Sequence, residues 1–298
     1  MPSQSLAWQS KLILLLVIPC TAVSVVLQGR WYFSVAPGVA IWTLGLSALL
    51  GVAALILRAG TPAASATGAL LTAGMMFGAV QGPFEPWRSA MAPILAFMVL
   101  TSLATRFGGE RKQRLGTGES NHGRGAAQVA ANLGFATVAM NPAVQAWFID
   151  SRLFALVASA PFSILTPALA ALAEAAADTV SSEIGQVLGG RPFMLTTFRR
   201  VDPGMDGAVS LAGTVGGIFA ATVVAAAGAW ALHGNLEMFL LSWAGGVFGL
   251  FFDSLLGATL ERAGWLNNDA VNFVSTASAA VFSLMLIVIL PHQAMTGF

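Results

Sequence analysis

The sequence predicts an all-α fold, a polytopic membrane helix bundle of about nine transmembrane helices. Hydrophobic residues make up 56% of the 298 residues and charged residues only 9%, and the mean hydropathy is +0.77. A soluble domain with this composition would expose large apolar patches to water. Apolar runs long enough to cross a bilayer, about 17 residues or more, recur along the whole chain, which favours a membrane protein over a soluble one.

The apolar runs place the predicted helices in order along the chain. The first run is expected to be an uncleaved membrane helix, because Pro19 stands where a signal peptide needs a small residue. Proline also interrupts the fifth run, at Asn141-Pro142, so the first and fifth helices should be the least regular. The runs lie near residues 11–27, 37–57, 63–81, 89–106, 126–146, 153–177, 207–232, 236–258 and 270–290.

These helices are expected to form a single integral-membrane domain over residues 1–298. Residues 1–106 supply N-terminal helices, residues 107–125 form a cytoplasmic loop, and residues 126–298 supply motif-bearing helices with a second cytoplasmic loop at 183–206.

The orientation of this domain follows from its basic residues, because Lys and Arg gather in cytoplasmic loops. Eleven of the 14 basic residues fall on the N-terminal side of a nine-helix arrangement, and Arg30, Arg88 and Arg152 fall opposite. We therefore expect the N-terminus in the cytoplasm and the C-terminus outside, in a bacterial-type inner or plasma membrane. The eleven are Lys11, Arg58, Arg106, Arg111, Lys112, Arg114, Arg124, Arg191, Arg199, Arg200 and Arg262.

Several functional classes are disfavoured by the composition. A formal net charge of +1, with basic residues scattered among loops, argues against a nucleic-acid partner. The single cysteine, Cys20, excludes an internal disulfide and a cysteine-built metal site. The chain contains neither a GxxxxGK[ST] phosphate loop nor a GxSxG nucleophile elbow, which argues against a P-loop enzyme and a serine hydrolase.

Carboxylates in the sixth apolar run and just beyond it suggest a metal site. An ionisable side chain in a bilayer costs roughly 2.5 to 3.5 kcal/mol, so acids tolerated here need a function. Asp178 and Glu183 follow the run closely, and Asp253 lies at the same predicted membrane face from another helix. Carboxylates of this kind bind Mg²⁺ together with substrate phosphates. We predict Asp178, Glu183 and Asp253 as catalytic and metal-binding residues; the alternative is that Asp178 or Glu183 neutralises Arg199 or Arg200.

The loop after this segment has features of a phosphate site. Arg199 and Arg200 carry guanidinium groups that bind phosphate oxygens, and Gly204, Gly207 and Ser210 lead into the seventh helix, whose N-terminus favours an anion. The alternative is that the arginines anchor the loop on lipid headgroups and the glycines pack helices closely.

Further polar residues at the same face are candidates for binding a substrate. Buried unpaired, their amide and hydroxyl groups would be costly, so the asparagines among them either bond the substrate or cap and cross-link helices. The candidates are Gln128, Asn132, Thr179, Ser182, Asn268 and Asn272.

Four ordered segments resemble an integral-membrane family catalogued as domain of unknown function 92, which includes plant phytyl-phosphate kinases and transmembrane protein 19. The first is AADTVSSEIG at 176–185, and the second runs from Thr196-Thr197 to VDPG at 201–204. The others are GAVSLAGT at 207–214 and DSLLGAT at 253–259. With further similar points from Arg58 to Asn272, the resemblance covers nearly the whole chain, and the four ordered segments make it specific for the family.

The resemblance implies transfer of a phosphoryl group from a nucleoside triphosphate, such as CTP, to an isoprenoid phosphate lipid such as phytyl or geranylgeranyl monophosphate, with Mg²⁺ as cofactor. Two other functions stay open. One is a transporter that uses its intramembrane acids, and the other is a nucleotidyltransferase that forms a CDP-lipid at the same site.

Overall fold

The chain is almost entirely helical in a computed structural model that describes residues 6–116, 123–155 and 163–289. Within these ranges two strands of two residues each, β1 (Phe193–Met194) and β2 (Ala208–Val209), form the only sheet. The predicted all-α class is therefore confirmed. The helices are α1 (Trp8–Val35), α2 (Pro37–Ile56), α3 (Pro62–Gly78), α4 (Met91–Arg106), α5 (Gly109–Leu115), α6 (Ala126–Met140), α7 (Pro142–Asp150), α8 (Arg152–Ala155), α9 (Thr166–Leu188), α10 (Leu211–Ala231), α11 (Leu236–Leu256), a π-helical turn (Gly257–Glu261) and α12 (Asn268–Ile289).

Five helices in the described part of the chain are long and apolar enough to cross a membrane: α1, α2, α10, α12, and α11 with its π turn. A sixth span results if α4 and α5, which meet at a bend of 64°, count as one. The predicted membrane bundle is thus supported, whereas the predicted count of about nine spans is not confirmed. The difference has two causes. Helices α3 and α6, with 17 and 15 residues, are short for a membrane span. Helix α9 is long enough, but its three carboxylates make it too polar to count as one.

Helix boundaries depart from the predicted ones at several places. Helix α9 continues to Leu188, inside the predicted loop 183–206, and α1 continues through Pro19, where an irregularity was expected. The predicted cytoplasmic loop 107–125 contains a helix, α5, and its residues 117–122 lie outside the described ranges. The predicted run 153–177 is not one helix in the described residues, because α9 begins at Thr166, and residues 156–162 also lie outside them. The expected irregularity at Asn141-Pro142 is present: α6 ends at Met140, and the Asn141 side chain caps α7 by accepting a 2.9 Å hydrogen bond from Ala143 N.

Helix α9 lies at the centre of the bundle. It packs against α4, α6, α10, α11 and α12, and every residue from 166 to 177 is buried. Most of these residues are alanine, and small side chains let helices approach closely where lipid supplies no hydrophobic drive. Glycines on the neighbouring helices have the same effect: a Cβ at Gly217 of α10 would lie 2.8 Å from Ala177 O. The acids of α9 are therefore held within the helix packing.

The polar helix ends meet at one end of the bundle, which we call the polar end. There the start of α1 is tied to the start of α12, because Asn267 Nδ2 donates to Ser10 Oγ (2.7 Å), which donates to Asp269 Oδ2 (2.6 Å). The segment before α6 joins the start of α3 through a 3.0 Å hydrogen bond from Thr61 N to Arg124 O. The side of the membrane that this end faces stays a prediction.

Candidate active site

The polar end contains a cavity of about 220 Å³ that is lined by four carboxylates. They come from four different segments: Asp178 from α9, Asp206 from the loop before α10, Asp253 from α11 and Glu261 from the π turn. No lysine or arginine is among the described lining residues. We call this space the acidic cavity. Its other lining residues are Ser181, Ser182, Gly185, Gln186, Pro192, Pro203, Gly204, Met205, Gly207, Ala208, Ser210, Ser254, Gly257 and Asn268.

Asp178 and Asp253 meet at the centre of this cavity. The Asp178 carboxylate lies within hydrogen-bonding reach of the Asp253 and Ser182 side chains, and it is close enough to Arg124 and Glu183 to interact with their charges. The Oδ2 atom of Asp253 is buried and has no hydrogen-bond partner. A buried carboxylate oxygen without a donor is costly, and a cation or a hydrogen-bond donor placed here would relieve that cost.

The shape of the cavity depends on a close contact between the loop and the π turn. Gly207 has φ +73°, and a Cβ there would lie 2.2 Å from Ala258 N. A Cβ at Gly257 would lie 2.8 Å from Gly207 N. Only glycine permits this approach with such a backbone, and π turns inside helices often occur at functional sites. The contact seats Asp206 and Glu261 on the cavity wall.

Glu183, predicted as the third metal ligand, does not line the acidic cavity. Its Oε2 lies 2.6 Å from Lys112 Nζ, and its Oε1 accepts a 3.0 Å hydrogen bond from Thr105 Oγ1. The reason is helical geometry, since five residues rotate a side chain by about 140° around the helix axis from Asp178. The structure therefore favours the alternative of charge neutralisation, although the cation is Lys112 and not Arg199 or Arg200.

The two loop arginines also lie away from the cavity. Arg199 and Arg200 are exposed, and neither is among the cavity-lining residues. The Arg200 guanidinium lies 5.0 Å from the centre of the Phe193 ring, and Arg199 O accepts from Met194 N (2.9 Å). Pairing of this segment with β1 turns the guanidinium groups outward, which the sequence pattern did not reveal.

The glycine and serine candidates of the same loop do line the cavity. Gly204, Gly207 and Ser210 are all in its wall. Ser210 also caps α10, because its Oγ accepts a 3.1 Å hydrogen bond from Gly213 N. The N-cap residue of α10 therefore lies in the wall of the acidic cavity.

Of the remaining polar candidates, Ser182 and Asn268 line the acidic cavity. Thr179 is buried outside its wall. Asn132 and Asn272 are buried and bonded to each other, with 2.9 Å between Asn272 Nδ2 and Asn132 Oδ1. This pair links α6 to α12, as expected if these asparagines cross-link helices and do not bind the substrate.

Gln128 is half-buried near the start of α6 and does not line the acidic cavity.

Sequence reasoning missed two of the four cavity acids. Asp206 stands between two predicted site residues, Gly204 and Gly207, but was not itself predicted as a site residue. Glu261 follows Asp253 by eight residues, a spacing that could have been tested as one helical face. Its final position depends on the π turn, which no residue pattern in the chain marks clearly.

The donor atoms of this site fit a magnesium ion that arrives with a phosphate. In the described residues no group of three or more His, Cys, Asp or Glu side chains is arranged to hold a metal by itself. Mg²⁺, however, usually takes one or two protein carboxylates and completes its shell with water and substrate phosphates. Asp178 and Asp253 offer two carboxylates from different helices, and Asp253 Oδ2 lacks a hydrogen-bond partner.

The sequence profile of a family described as integral membrane protein DUF92 matches residues 45–280. This chain belongs to the DUF92 family. The matched range includes every residue that lines the acidic cavity, and the resemblance predicted from the four sequence segments is confirmed.

Among DUF92 relatives, an uncharacterized membrane protein of Methanocaldococcus jannaschii is 36% identical over 135 residues, which are 45% of this chain and 56% of that protein. An uncharacterized membrane protein of Synechocystis is 30% identical over 214 residues, 66% of this chain and 73% of that protein. Protein VTE6, chloroplastic, of Arabidopsis thaliana is 31% identical over 112 residues, 37% of this chain and 34% of that protein. No solved structure matches this chain.

Proposed function

We propose that this DUF92 protein is a membrane kinase that transfers a phosphoryl group from a nucleoside triphosphate to a polyprenyl or phytyl monophosphate. The observation that carries the proposal is the acidic cavity, whose described wall holds four carboxylates and no basic residue. A triphosphate has several negative charges and would be repelled from such a wall. It enters favourably only together with divalent cations, as in Mg²⁺-dependent phosphoryl transfer.

The residues of the cavity suit the two parts of such a donor. Asp178 and Asp253 would hold the Mg²⁺, and Ser182 lies beside Asp178 to bond a phosphate oxygen. The N-terminus of α10, entered through Gly207 and Ser210, opens at the same wall. Backbone N–H groups and the helix dipole at such a terminus favour an anion. When bound, Mg²⁺ would neutralise charge on the phosphate oxygens.

The reaction needs no side-chain nucleophile. An oxygen of the acceptor monophosphate attacks the γ-phosphorus of the donor, and the bond from that phosphorus to the β–γ bridging oxygen breaks. The products are a nucleoside diphosphate and a lipid diphosphate. Because the acceptor phosphate is already ionised at neutral pH, no general base has to remove a proton. The described lining of the acidic cavity, which contains no histidine, is consistent with this mechanism.

The identity of the acceptor rests on family resemblance. The family includes plant phytyl-phosphate kinases, and the match to protein VTE6 extends over 37% of this chain. The proposed setting is a bacterial-type inner or plasma membrane with the polar end in the cytoplasm, where nucleotides are available. A lipid acceptor then reaches the site from the bilayer and the nucleotide reaches it from water.

Product analysis tests this function directly. Purified protein in lipid nanodiscs is incubated with Mg²⁺, each of CTP, ATP, GTP and UTP, and either phytyl or geranylgeranyl monophosphate, and the lipid products are identified by mass. A lipid diphosphate supports the proposal. A nucleotide joined to the lipid identifies a nucleotidyltransferase instead, and the absence of any new lipid with all four nucleotides overturns the kinase assignment.

Thermal stability distinguishes the kinase from a transporter. Anything that binds the folded state raises its melting temperature, so a non-hydrolysable nucleotide should stabilise the protein in the presence of Mg²⁺ and not in EDTA. If a small solute alone raises the melting temperature and nucleotide with Mg²⁺ does not change it, the protein is a carrier.

A further inference from the structure

A second cavity, of about 280 Å³, lies between α2, α3, α4 and α6. Its walls carry mostly apolar side chains, including Leu50, Ile94, Phe97 and Leu133. Hydroxyl groups also line it, from Ser65, Thr72, Thr101 and Ser102. Toward the polar end its lining changes to three arginines, which come from the end of α2, the end of α4 and the segment before α6. We call this space the arginine-headed groove. Its arginines are Arg58, Arg106 and Arg124.

The head of this groove adjoins the acidic cavity. Arg124 lines the groove and also interacts with the charge of Asp178. Thr105, another groove residue, receives a 3.4 Å hydrogen bond from Arg124 Nη2 and donates to Glu183 Oε1. An anion bound by the arginines would therefore lie beside the carboxylates assigned to the nucleotide and its metal.

Arg58 occupies a backbone position that normally belongs to glycine. Its φ is +54°, and the chain there ends α2 with hydrogen bonds from Arg58 N to Leu55 O (3.1 Å) and from Ala59 N to Ala54 O (2.9 Å). Helices commonly end with a left-handed residue of this kind, which is usually glycine because a Cβ is strained there. A side chain is strained in this conformation, so a glycine at position 58 should fit the same backbone.

We propose that the arginine-headed groove binds the acceptor lipid, with its single isoprenoid chain between α2, α3, α4 and α6 and its monophosphate on Arg58, Arg106 and Arg124. This rests on the proposed function, because that function requires an acceptor phosphate beside the acidic cavity. The charges are complementary, since guanidinium groups bind phosphate oxygens in a planar, bidentate manner. The apolar side chains that make up most of the groove suit an isoprenoid chain.

The head of the groove is tested by a variant that should leave the fold intact. Arg58→Gly relieves backbone strain while it removes the guanidinium group. We expect its affinity for geranylgeranyl monophosphate, measured by calorimetry without nucleotide, to fall by at least about tenfold, the loss of one charge-assisted contact. His233→Gly is the matched control: His233 also has positive φ (52°), follows α10 and lies outside the groove. The His233→Gly variant should bind geranylgeranyl monophosphate with the affinity of the wild type.

The tail of the groove is tested by filling it. Gly68 lines the groove, and a Cβ there would make only an ordinary 3.9 Å contact with Val129. Gly68→Leu should therefore fold but weaken binding of geranylgeranyl monophosphate by at least about tenfold, since added side-chain volume replaces the chain. Gly45→Leu on α2, where a Cβ meets no atom within 4 Å, should bind normally.

Three outcomes would overturn the proposal. Wild-type affinity in both Arg58→Gly and Gly68→Leu removes the acceptor from the groove. Equal competition by dioleoyl phosphatidic acid makes it a general phospholipid site. Equal binding of geranylgeraniol, which lacks the phosphate, removes the role of the arginines.

These results are separable from the kinase assignment. If geranylgeranyl monophosphate binds in the groove and no nucleotide converts it, the proposed function fails and the lipid site stands. If the diphosphate forms but neither variant raises the lipid KM, the kinase stands and the groove assignment fails.

Discussion

The Nζ atom of Lys112 lies 2.6 Å from Oε2 of Glu183. Only 2% of Lys112 is exposed to solvent, and its ammonium group also donates to the carbonyl oxygens of Ala104 (2.8 Å) and Thr105 (2.9 Å). This lysine therefore neutralises Glu183 of α9 and also donates hydrogen bonds to two carbonyl groups at the end of α4. It does so from α5, which follows α4 after a 64° bend.

We predict that Lys112→Met destabilises the protein by about 3 kcal/mol, because a partly buried carboxylate then loses its cation. The double variant Lys112→Met/Glu183→Gln should recover part of this loss. Reversible unfolding in mixed detergent micelles measures both. Equal stability of the wild type and Lys112→Met would show that the pair has no structural role.

Asp178→Asn and Asp253→Asn are predicted to lower kcat/KM by at least about a hundredfold, the usual cost of losing a group that stabilises transition-state charge. The unliganded variants should be as stable as the wild type or more so, because they remove repulsion between two adjacent carboxylates. Mg²⁺-dependent stabilisation by nucleotide should disappear. Asp150→Asn, an exposed aspartate outside the acidic cavity, is the control and should change none of these quantities.

Retained activity in both Asp178→Asn and Asp253→Asn would reject the assignment of the acidic cavity as the site of chemistry.

Gly207→Ala should be more harmful than an equivalent change elsewhere in the same loop. Both Gly207 and Gly190 have positive φ, but a Cβ at Gly207 meets Ala258 N at 2.2 Å, whereas one at Gly190 meets nothing within 4 Å. We expect Gly190→Ala to cost about 1 kcal/mol from the backbone alone and to keep activity. Gly207→Ala should cost more than about 2 kcal/mol and lose nucleotide binding. Indistinguishable variants would mean that the loop does not depend on the π-turn contact.

Asn272→Ala is predicted to lower stability by about 0.5 to 2 kcal/mol, because it leaves Asn132 Oδ1 without a donor in a buried site. The double variant Asn132→Ala/Asn272→Ala should show less than the sum of the two single effects, as interacting pairs do. The donor and acceptor KM values should stay within about twofold of the wild type in both variants. A large rise in either KM would mean that the asparagines touch a substrate.

Arg200→Ala should change the donor KM by less than about twofold, since the exposed guanidinium lies over Phe193 and contributes at most a weak cation–π contact. Steady-state kinetics with varied nucleotide measures this. A tenfold rise in KM would indicate that the loop folds over the acidic cavity when nucleotide binds.

The sequence was most informative where a residue type is unusual for its surroundings. Asp178 and Asp253 stand in apolar segments far apart in the chain, and the cost of an acid in a membrane was enough to select both. The structure brings them together in one cavity. Ser182 lines the same cavity as Asp178, because four residues along a helix return a side chain nearly to the same face.

The sequence was less informative where placement depends on a bend or an irregular turn. Glu183 pairs with Lys112 because α5 folds back after α4, and nothing in the residue pattern marked a helix inside a polar loop. Glu261 reaches the cavity through the π turn, which the helical period does not describe. Arg199 and Arg200 had the right chemistry for phosphate, but their pairing with a two-residue strand directs them outward.

Enclosure of α9 by the surrounding helices has a consequence for how the protein is made. With Glu174, Asp178 and Glu183 along its length, α9 pays up to about 3 kcal/mol for each carboxylate on entering lipid alone. Glu183 can pair at once with Lys112 of the earlier helix α5. Glu174 and Asp178 face α11, so release of α9 from the translocon should wait until α11 has been synthesised. A nascent chain stopped before α11 would leave α9 stranded during biogenesis and exposed to quality-control proteases.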